Sequence, residues 1–257
     1  AIGWIVSEEA FMQPLRKVIS KLKLRASYGQ VGNANLGGRR FAYLSTITDD
    51  YETLNMYKWG LDSSYGLTGM AEGEFAVQDL TWEIVNKMNL GVELGFLNGM
   101  IDLQLDYFDE RRKDIFMPRE SVPMTAGFMK QPWKNFGKVT NQGVEVSLNV
   151  NKQFGKDLFV SLMGTFTYAH NEITEKDEPS AVVGTNRAET GHPVGQLTGY
   201  IAEGLFTADD FEDVSTGKLK EGIPTQSFVG KLRPGDIRYR DVNGDGKVDV
   251  FDKSPIG

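Results

Sequence analysis

The stretch Asp241 to Asp252 carries the densest set of groups in the chain that could do chemistry. Oxygen-bearing side chains stand at loop positions 1, 3, 5, 9 and 12 (Asp241, Asn243, Asp245, Asp249 and Asp252), and Gly246 stands at position 6. Lys247, at position 7, offers its backbone carbonyl. This is the spacing of an EF-hand calcium loop, with Asp where that loop has Glu at the last position. A calcium ion needs many oxygens around it, and a sharp turn at glycine lets side chains two residues apart converge. The shorter Asp252 would reach the ion less fully than Glu. The flanks, Ile237 to Arg240 and Ser254-Pro255, do not read as EF-hand helices. Asp241, Asn243, Asp245, Lys247, Asp249 and Asp252 are therefore expected either to hold calcium, in a structural role, or to form a solvated polar turn.

Other chemistry finds little support. Only two histidines occur, His170 and His192, at the end of a strand and in a Gly-His-Pro turn, without ligand spacing. There is no cysteine for nucleophilic work, and neither a Gly-x-Ser-x-Gly elbow nor a phosphate-cradling loop appears. Asp209 and Asp210 are sequence neighbours in an acidic stretch, which usually means solvated carboxylates rather than a glycosidase pair. Trp59, Trp82 and Trp133 could stack on sugar rings, or could equally serve as barrel-girdle or loop-packing residues. The chain is not expected to be an enzyme.

The elements that would carry these loops are strands. Across Asn89 to Asn171 the residues alternate apolar and polar in four runs, paired by short turns at Asn98-Gly99 and Gly155-Lys156-Asp157. Leu90, Val92, Leu94 and Phe96 share a face, as do Ile101, Leu103, Leu105 and Tyr107. Val144, Val146, Leu148 and Val150 repeat the pattern, followed by Leu158, Val160, Leu162, Phe166 and Tyr168. Glu93, Asp102, Gln104, Asp106, Glu145, Ser147 and Thr165 take the other face. Strand side chains alternate with period two, so these are two-faced antiparallel hairpins. The alternation predicts that Leu90, Val92, Leu94, Leu103, Leu105, Val144, Val146, Leu148, Val160 and Leu162 form one continuous surface.

A soluble sandwich and a membrane barrel both use such strands. A strand tilted by roughly 40° climbs ~2.6 Å per residue, which puts Tyr107 about 21 Å above Gly99 and Tyr168 about 29 Å above Asp157. Both lie near the rim of an apolar band about 25 Å tall, where outer-membrane barrels carry aromatic girdles. The apolar face is also free of charge, whereas the other is acidic enough for a water-filled lumen. The pattern favours the barrel.

Composition agrees. The 257 residues include 29 glycines and 35 acidic against 28 basic side chains, for a net charge of −7, which gives no support to nucleic-acid binding. No apolar run is long enough for a transmembrane helix, a test that barrel strands evade. The start, Ala1-Ile2-Gly3-Trp4, does not resemble a signal peptide and suggests a segment of a longer protein. Residues 7 to 21 read as a short helical or turn segment, Leu22 to Tyr28 as a strand, Gly29 to Gly38 as a loop and Phe41 to Thr48 as a strand. The region 49 to 81 is irregular. Residues 115 to 141, with Pro118, Pro123 and Pro132, read as a long loop. A shorter strand is expected over Gly199 to Phe206.

Three stretches together resemble the SusC/RagA group of TonB-dependent outer-membrane transporters. They are Leu22 to Asn33 (LKLRASYGQVGN), Asn141 to Glu145 with the preceding Asn135-Phe136-Gly137, and Pro234 to Gly257. The resemblance covers nearly the whole chain. It implies an all-β fold: a partial antiparallel transmembrane β-barrel with long extracellular loops, from the C-terminal half of a large TonB-dependent barrel. One barrel domain over 1–257 is expected, its clearest strands at 22–28, 89–109 and 142–171, with the calcium-like loop at 241–252 and no plug domain. Members of this group import oligosaccharides, and in some cases peptides, across the outer membrane. They draw energy from the TonB system and work beneath a SusD-like surface lipoprotein. The resemblance thus implies outer-membrane lipid, that lipoprotein, TonB and a glycan or peptide cargo as partners. The competing expectation is a soluble calcium-dependent β-sandwich that binds carbohydrate.

Overall fold

A computed structural model describes residues 1–48, 57–59, 65–67, 71–128 and 130–256. The chain forms two compact units, Ala1–Asp177 and Glu178–Gly257.

The first unit is built on one antiparallel meander. Its strands are β1 (Ile2–Ile5), β2 (Ile19–Asn33), β3 (Glu83–Phe96), β4 (Ile101–Pro118), β5 (Trp133–Phe154) and β6 (Leu158–Glu175). They lie side by side in that order. The register aligns the alternating faces of neighbouring strands. Leu24, Val92, Leu105, Val146 and Phe166 stand in one row from β2 to β6. The next rows on the same face run Leu22, Leu94, Leu103, Leu148, Gly164 and then Ala26, Leu90, Tyr107, Val144, Tyr168. All ten residues expected on one surface share it, because a slip of a single residue would have inverted a whole strand.

That surface is not a closed core. Leu162 is 62 % exposed and Phe166 61 %, and among the described residues no second sheet of comparable size packs against it. A sandwich would enclose these side chains, so the sandwich expectation fails here. The apolar face ends abruptly. Just beyond the row holding Tyr107 and Tyr168 come Asp109, Gln142 and His170 on β4 to β6. On β2 and β3 the change falls one row later, after Tyr28 and Met88, at Gln30 and Asn86. A boundary that steps along the strands as one crosses the sheet is what tilted strands produce at a level membrane surface.

The strands run further than the sequence suggests. β2 continues through Asn33 into the expected loop, and the long loop placed at 115–141 shrinks to residues between Pro118 and Trp133. The reason is a register shift between Arg112 and Ile115, where Asp114 adopts a left-handed φ of 58°. A bulge of this kind breaks the period of two without ending the strand. The prolines do mark the real loop, since Pro118 closes β4 and Pro132 immediately precedes β5. The turn after β3 also sits one residue early: Phe96 C=O accepts from Gly99 N–H, and Leu97, Asn98 and Gly99 all have positive φ. Of the residues expected as a strand over Phe41 to Thr48, only Ile47–Thr48 form one, with Thr46 and Ala42 making isolated backbone bonds to 73–77, and two 3-10 turns, Val6–Glu8 and Ala10–Leu15, precede β2.

The second unit is made of short pairs. Thr198–Gly199 pairs with Ser254–Pro255, Ala202–Leu205 with Ile237–Tyr239, and Phe211–Asp213 with Lys218–Leu219. Thr225–Gln226 and Lys247–Val248 run parallel. The strand expected over Gly199 to Phe206 is thus split between two partners. A small core of Phe206, Phe211 and Leu232, packed with Leu219, Ile223 and Val229, holds the unit together.

Candidate functional site

Opposite the apolar surface, the same strands carry a network of ion pairs. Arg25 on β2, Gly91 on β3 and Asp106 on β4 occupy one row. The Arg25 guanidinium crosses β3 and donates to both carboxylate oxygens of Asp106, at 2.9 and 3.0 Å. Gly91 makes the crossing possible. A Cβ there would lie 2.5 Å from the Asp106 carboxylate and 2.9 Å from the Arg25 guanidinium. Asp106 is buried beneath this arch and also accepts from the Gln104 amide at 2.8 Å. One row along, Glu93 lies 2.6 Å from Lys21 Nζ and 2.9 Å from Arg25 Nε, the latter an ion pair too bent for a hydrogen bond. Further up the face Lys87 pairs with Glu110 and Arg112 with Glu83. The charged face is therefore locked to itself across three strands, as suits the wetted side of a membrane sheet.

A second close approach lies one row from Asp106, on the side away from Glu93. The Phe108 ring lies over Gly143 on the neighbouring strand, 2.6 Å from where a Cβ would stand. An aromatic ring covering a strand glycine pins the register of the pair. Trp82 covers Gly32 in the same way.

The acidic loop is organised by its own backbone. Asp241 accepts from the Gly244 and Gly246 amides at 2.7 Å each, Asn243 from Asp245 N–H, and Asp245 from Lys247 N–H. Asp252, wholly buried, accepts from Val242 and Asn243 through one oxygen and from Asp249 through the other. Gly244 and Gly246 take φ of 76° and 83°, the left-handed turns such a loop needs. The ladder with Thr225–Ser227 uses the carbonyls of Gly246 and Val248 and not that of Lys247. Among the described residues, no group of three or more His, Cys, Asp or Glu side chains is gathered closely enough to hold a metal ion.

Burial pushes the Asp252 carboxyl up, but the three backbone donors (Asp249, Val242 and Asn243) outweigh it, so its pKa falls below the ordinary 3.8. A carboxylate depressed on folding stabilises the fold above its unfolded pKa, and that contribution is lost as pH drops through the folded value. Backbone amides Val242 and Asp249 should therefore stay protected from hydrogen exchange at neutral pH and lose protection selectively below about pH 4. Asp252→Asn should abolish that pH dependence. Unchanged protection at neutral pH in Asp252→Asn would show that the carboxylate does not hold the loop.

The remaining candidates are placed in less chemical settings. Trp133 is packed against two side chains, with Arg39 at 4.2 Å from its ring centre and Phe116 at 5.1 Å, so it serves loop packing. The Trp59 side chain lies outside the described residues. Asp210 caps its own 3-10 turn by accepting from Thr207 N–H and Oγ1, which removes it from any carboxylate pair. His170 lies on β6 just past the apolar boundary. His192 lines a cavity of about 400 Å³ with Arg187, Gln196 and Lys253. Sequence spacing could not bring 187 and 253 together. The Arg25–Asp106 arch was equally hidden, since Arg25 lies on β2, outside the two hairpins, and meets Asp106 only through the pairing of β2 with β3.

A charge-free apolar belt closed by tyrosines, with an ion-paired reverse face, defines the wall of a membrane β-barrel. The family model for "TonB dependent receptor-like, beta-barrel" matches residues 15–252, and the chain belongs to that family. Its relatives include the TonB-dependent receptor SusC of Bacteroides thetaiotaomicron, 30 % identical over 267 residues, covering 98 % of this chain and 24 % of SusC. The TonB-dependent receptor P39 of Formosa agariphila is 27 % identical, covering all of this chain and 26 % of that protein. The chain thus spans about a quarter of the length of the curated relatives it matches. Among solved structures, the RagAB peptide importer in its closed-closed state superposes with a TM-score of 0.63 at 20 % identity, covering 99 % of this chain and 25 % of that one. That likeness is one of fold.

Proposed function

We propose that this chain forms part of the barrel wall of an outer-membrane importer of SusC/RagA type, which takes up oligosaccharides or peptides together with a SusD-like surface lipoprotein and uses energy from TonB. The observation that supports it most is the uncharged apolar belt, continuous over β2 to β6 and ending at Tyr107 and Tyr168. A folded water-soluble protein rarely exposes such a surface, whereas a lipid-facing wall requires it. The reverse face, wetted and ion-paired, suits a lumen. SusC is itself a TonB-dependent receptor, and the RagAB structure is that of a peptide importer. The test is uptake of fluorescent oligosaccharides and oligopeptides by cells carrying or lacking the full-length gene, with TonB intact or deleted. Uptake of at least one cargo should vanish in both deletions. Cargo entry unaffected by either would overturn the importer reading.

We propose further that the acidic loop binds calcium in a structural role. What supports this is the ligand spacing, the turns at Gly244 and Gly246, and a Lys247 carbonyl left out of the ladder. Calorimetric titration of the chelator-stripped full-length protein should show a calcium-binding step that Asp245→Ala removes. A step of equal size in both, or none in either, would discard the site.

A further inference from the structure

The cavity in the second unit has a built frame. One wall is the segment 186–198, the other 250–255. They are tied together by Asn186 Nδ2 donating to Lys253 C=O at 2.6 Å, by Ile256 N–H donating to Leu197 C=O, and by the strand pair Thr198–Gly199 with Ser254–Pro255. Behind the first wall, the buried carboxylate of Glu178 accepts from Glu189 N–H and Thr190 Oγ1, which fixes the turn that leads to His192. The frame uses the main-chain carbonyl of Lys253, so its ammonium is not consumed by the frame.

Arg187 and Lys253 both line this space, and the charged end of each lies near an aromatic ring at its edge. Arg187 lies 5.7 Å over the Phe251 ring, and Lys253 Nζ lies 5.5 Å over Tyr200. Among the described residues neither forms a hydrogen bond or ion pair through its side chain. A ring face positions a cation without consuming its N–H donors. Around them stand His192, Gln196 and Thr198, which are neutral hydrogen-bonding groups, and one carboxylate, Glu189. The volume, about 400 Å³, accommodates a single sugar ring or one to two amino-acid residues.

We propose that this cavity is a subsite for a carboxylate-bearing cargo, with Arg187 and Lys253 binding the carboxylate and the neutral groups meeting its hydroxyls or amides. Two lining cations whose donors are unused among the described residues favour an anion. A single carboxylate in the lining, set among neutral donors and acceptors, favours a polyfunctional organic acid over a bare inorganic anion. The same carboxylate chemistry is offered by a uronic-acid oligosaccharide and by an acidic peptide. The inference deepens the importer reading but does not depend on transport, because binding is measured without it.

The experiment is calorimetric titration of the purified full-length receptor in detergent. The probes are trigalacturonate and tri-glutamate, each paired with its neutral counterpart, trigalactose or tri-glutamine. One acid should bind measurably, and its neutral counterpart at least tenfold more weakly; which acid binds identifies the source of the carboxylate. Arg187→Gln with Lys253→Gln should weaken that binding by about tenfold or more, while Lys253→Arg retains most of it. Raising the salt should weaken it further in the native protein and not in the double variant. Barrel integrity in each variant is checked by heat-modifiable electrophoretic mobility, and a variant that fails this check is replaced by the corresponding single substitution. Equal binding of acid and neutral probes, no binding of either acid, or full affinity in a folded double variant would each overturn the subsite. If the receptor binds an acid but uptake assays show no import, the subsite stands and the importer reading falls.

Discussion

In the full-length receptor, Val146→Arg is expected to cost ~2–4 kcal/mol of folding free energy in lipid, and Ser147→Arg far less. The two residues are adjacent in β5, so they share backbone, depth and neighbours in sequence. They differ in the face they occupy. Val146 stands in the middle apolar row between Leu105 and Phe166, where a guanidinium would enter hydrocarbon. Ser147 stands between Gln104 and Thr165 on the charged face, where an arginine meets water and carboxylates. Denaturant unfolding of the receptor in vesicles measures both. Equal losses would show that the faces are wrongly assigned, and a larger loss at Ser147 would reverse them.

Gly143→Ala should be costly for an unrelated reason, and Gly164→Ala harmless. A methyl at Gly143 would stand 2.2 Å from the carbonyl of Tyr168 and 2.6 Å from the Phe108 ring. Phe108 could rotate away, but the carbonyl belongs to the β5–β6 ladder and cannot move without breaking register. Overpacking of this kind typically costs about 1–3 kcal/mol. At Gly164 nothing lies within 4 Å of the added carbon, and its φ is ordinary for a strand, so alanine there should leave stability unchanged or raise it by about 0.5–1 kcal/mol. The same vesicle assay separates them. Similar effects at both positions would mean that Phe108 and the ladder do not pack as described.

A sheet of this kind can be read far along the chain from sequence, and the places where reading stops are instructive. The two faces from Asn89 to Asn171 were legible because period-two alternation is local: each strand declares its own faces. Tyr107 and Tyr168 marked the rim because a strand's rise per residue is nearly constant. The extensions of β4 and β5 were hidden because the bulge at Asp114 shifts the alternation and glycine-proline punctuation nearby looks like loop. A window that counts periodicity cannot distinguish a bulge from an ending.

What the sequence determined alone was a set of local properties: amphipathic strands, a glycine-turned acidic loop and motifs of one receptor family. Only the tertiary structure decided which distant residues meet. The crossing of Arg25 over Gly91 to Asp106 joins residues 81 positions apart, and its existence depends on strand order and register together. The cavity framed by Asn186 and Lys253 joins residues 67 apart, with neither segment showing a regular pattern. Alternation is fixed by the geometry of one strand, whereas these contacts are fixed by how chain segments pair, and pairing is a property of the whole fold.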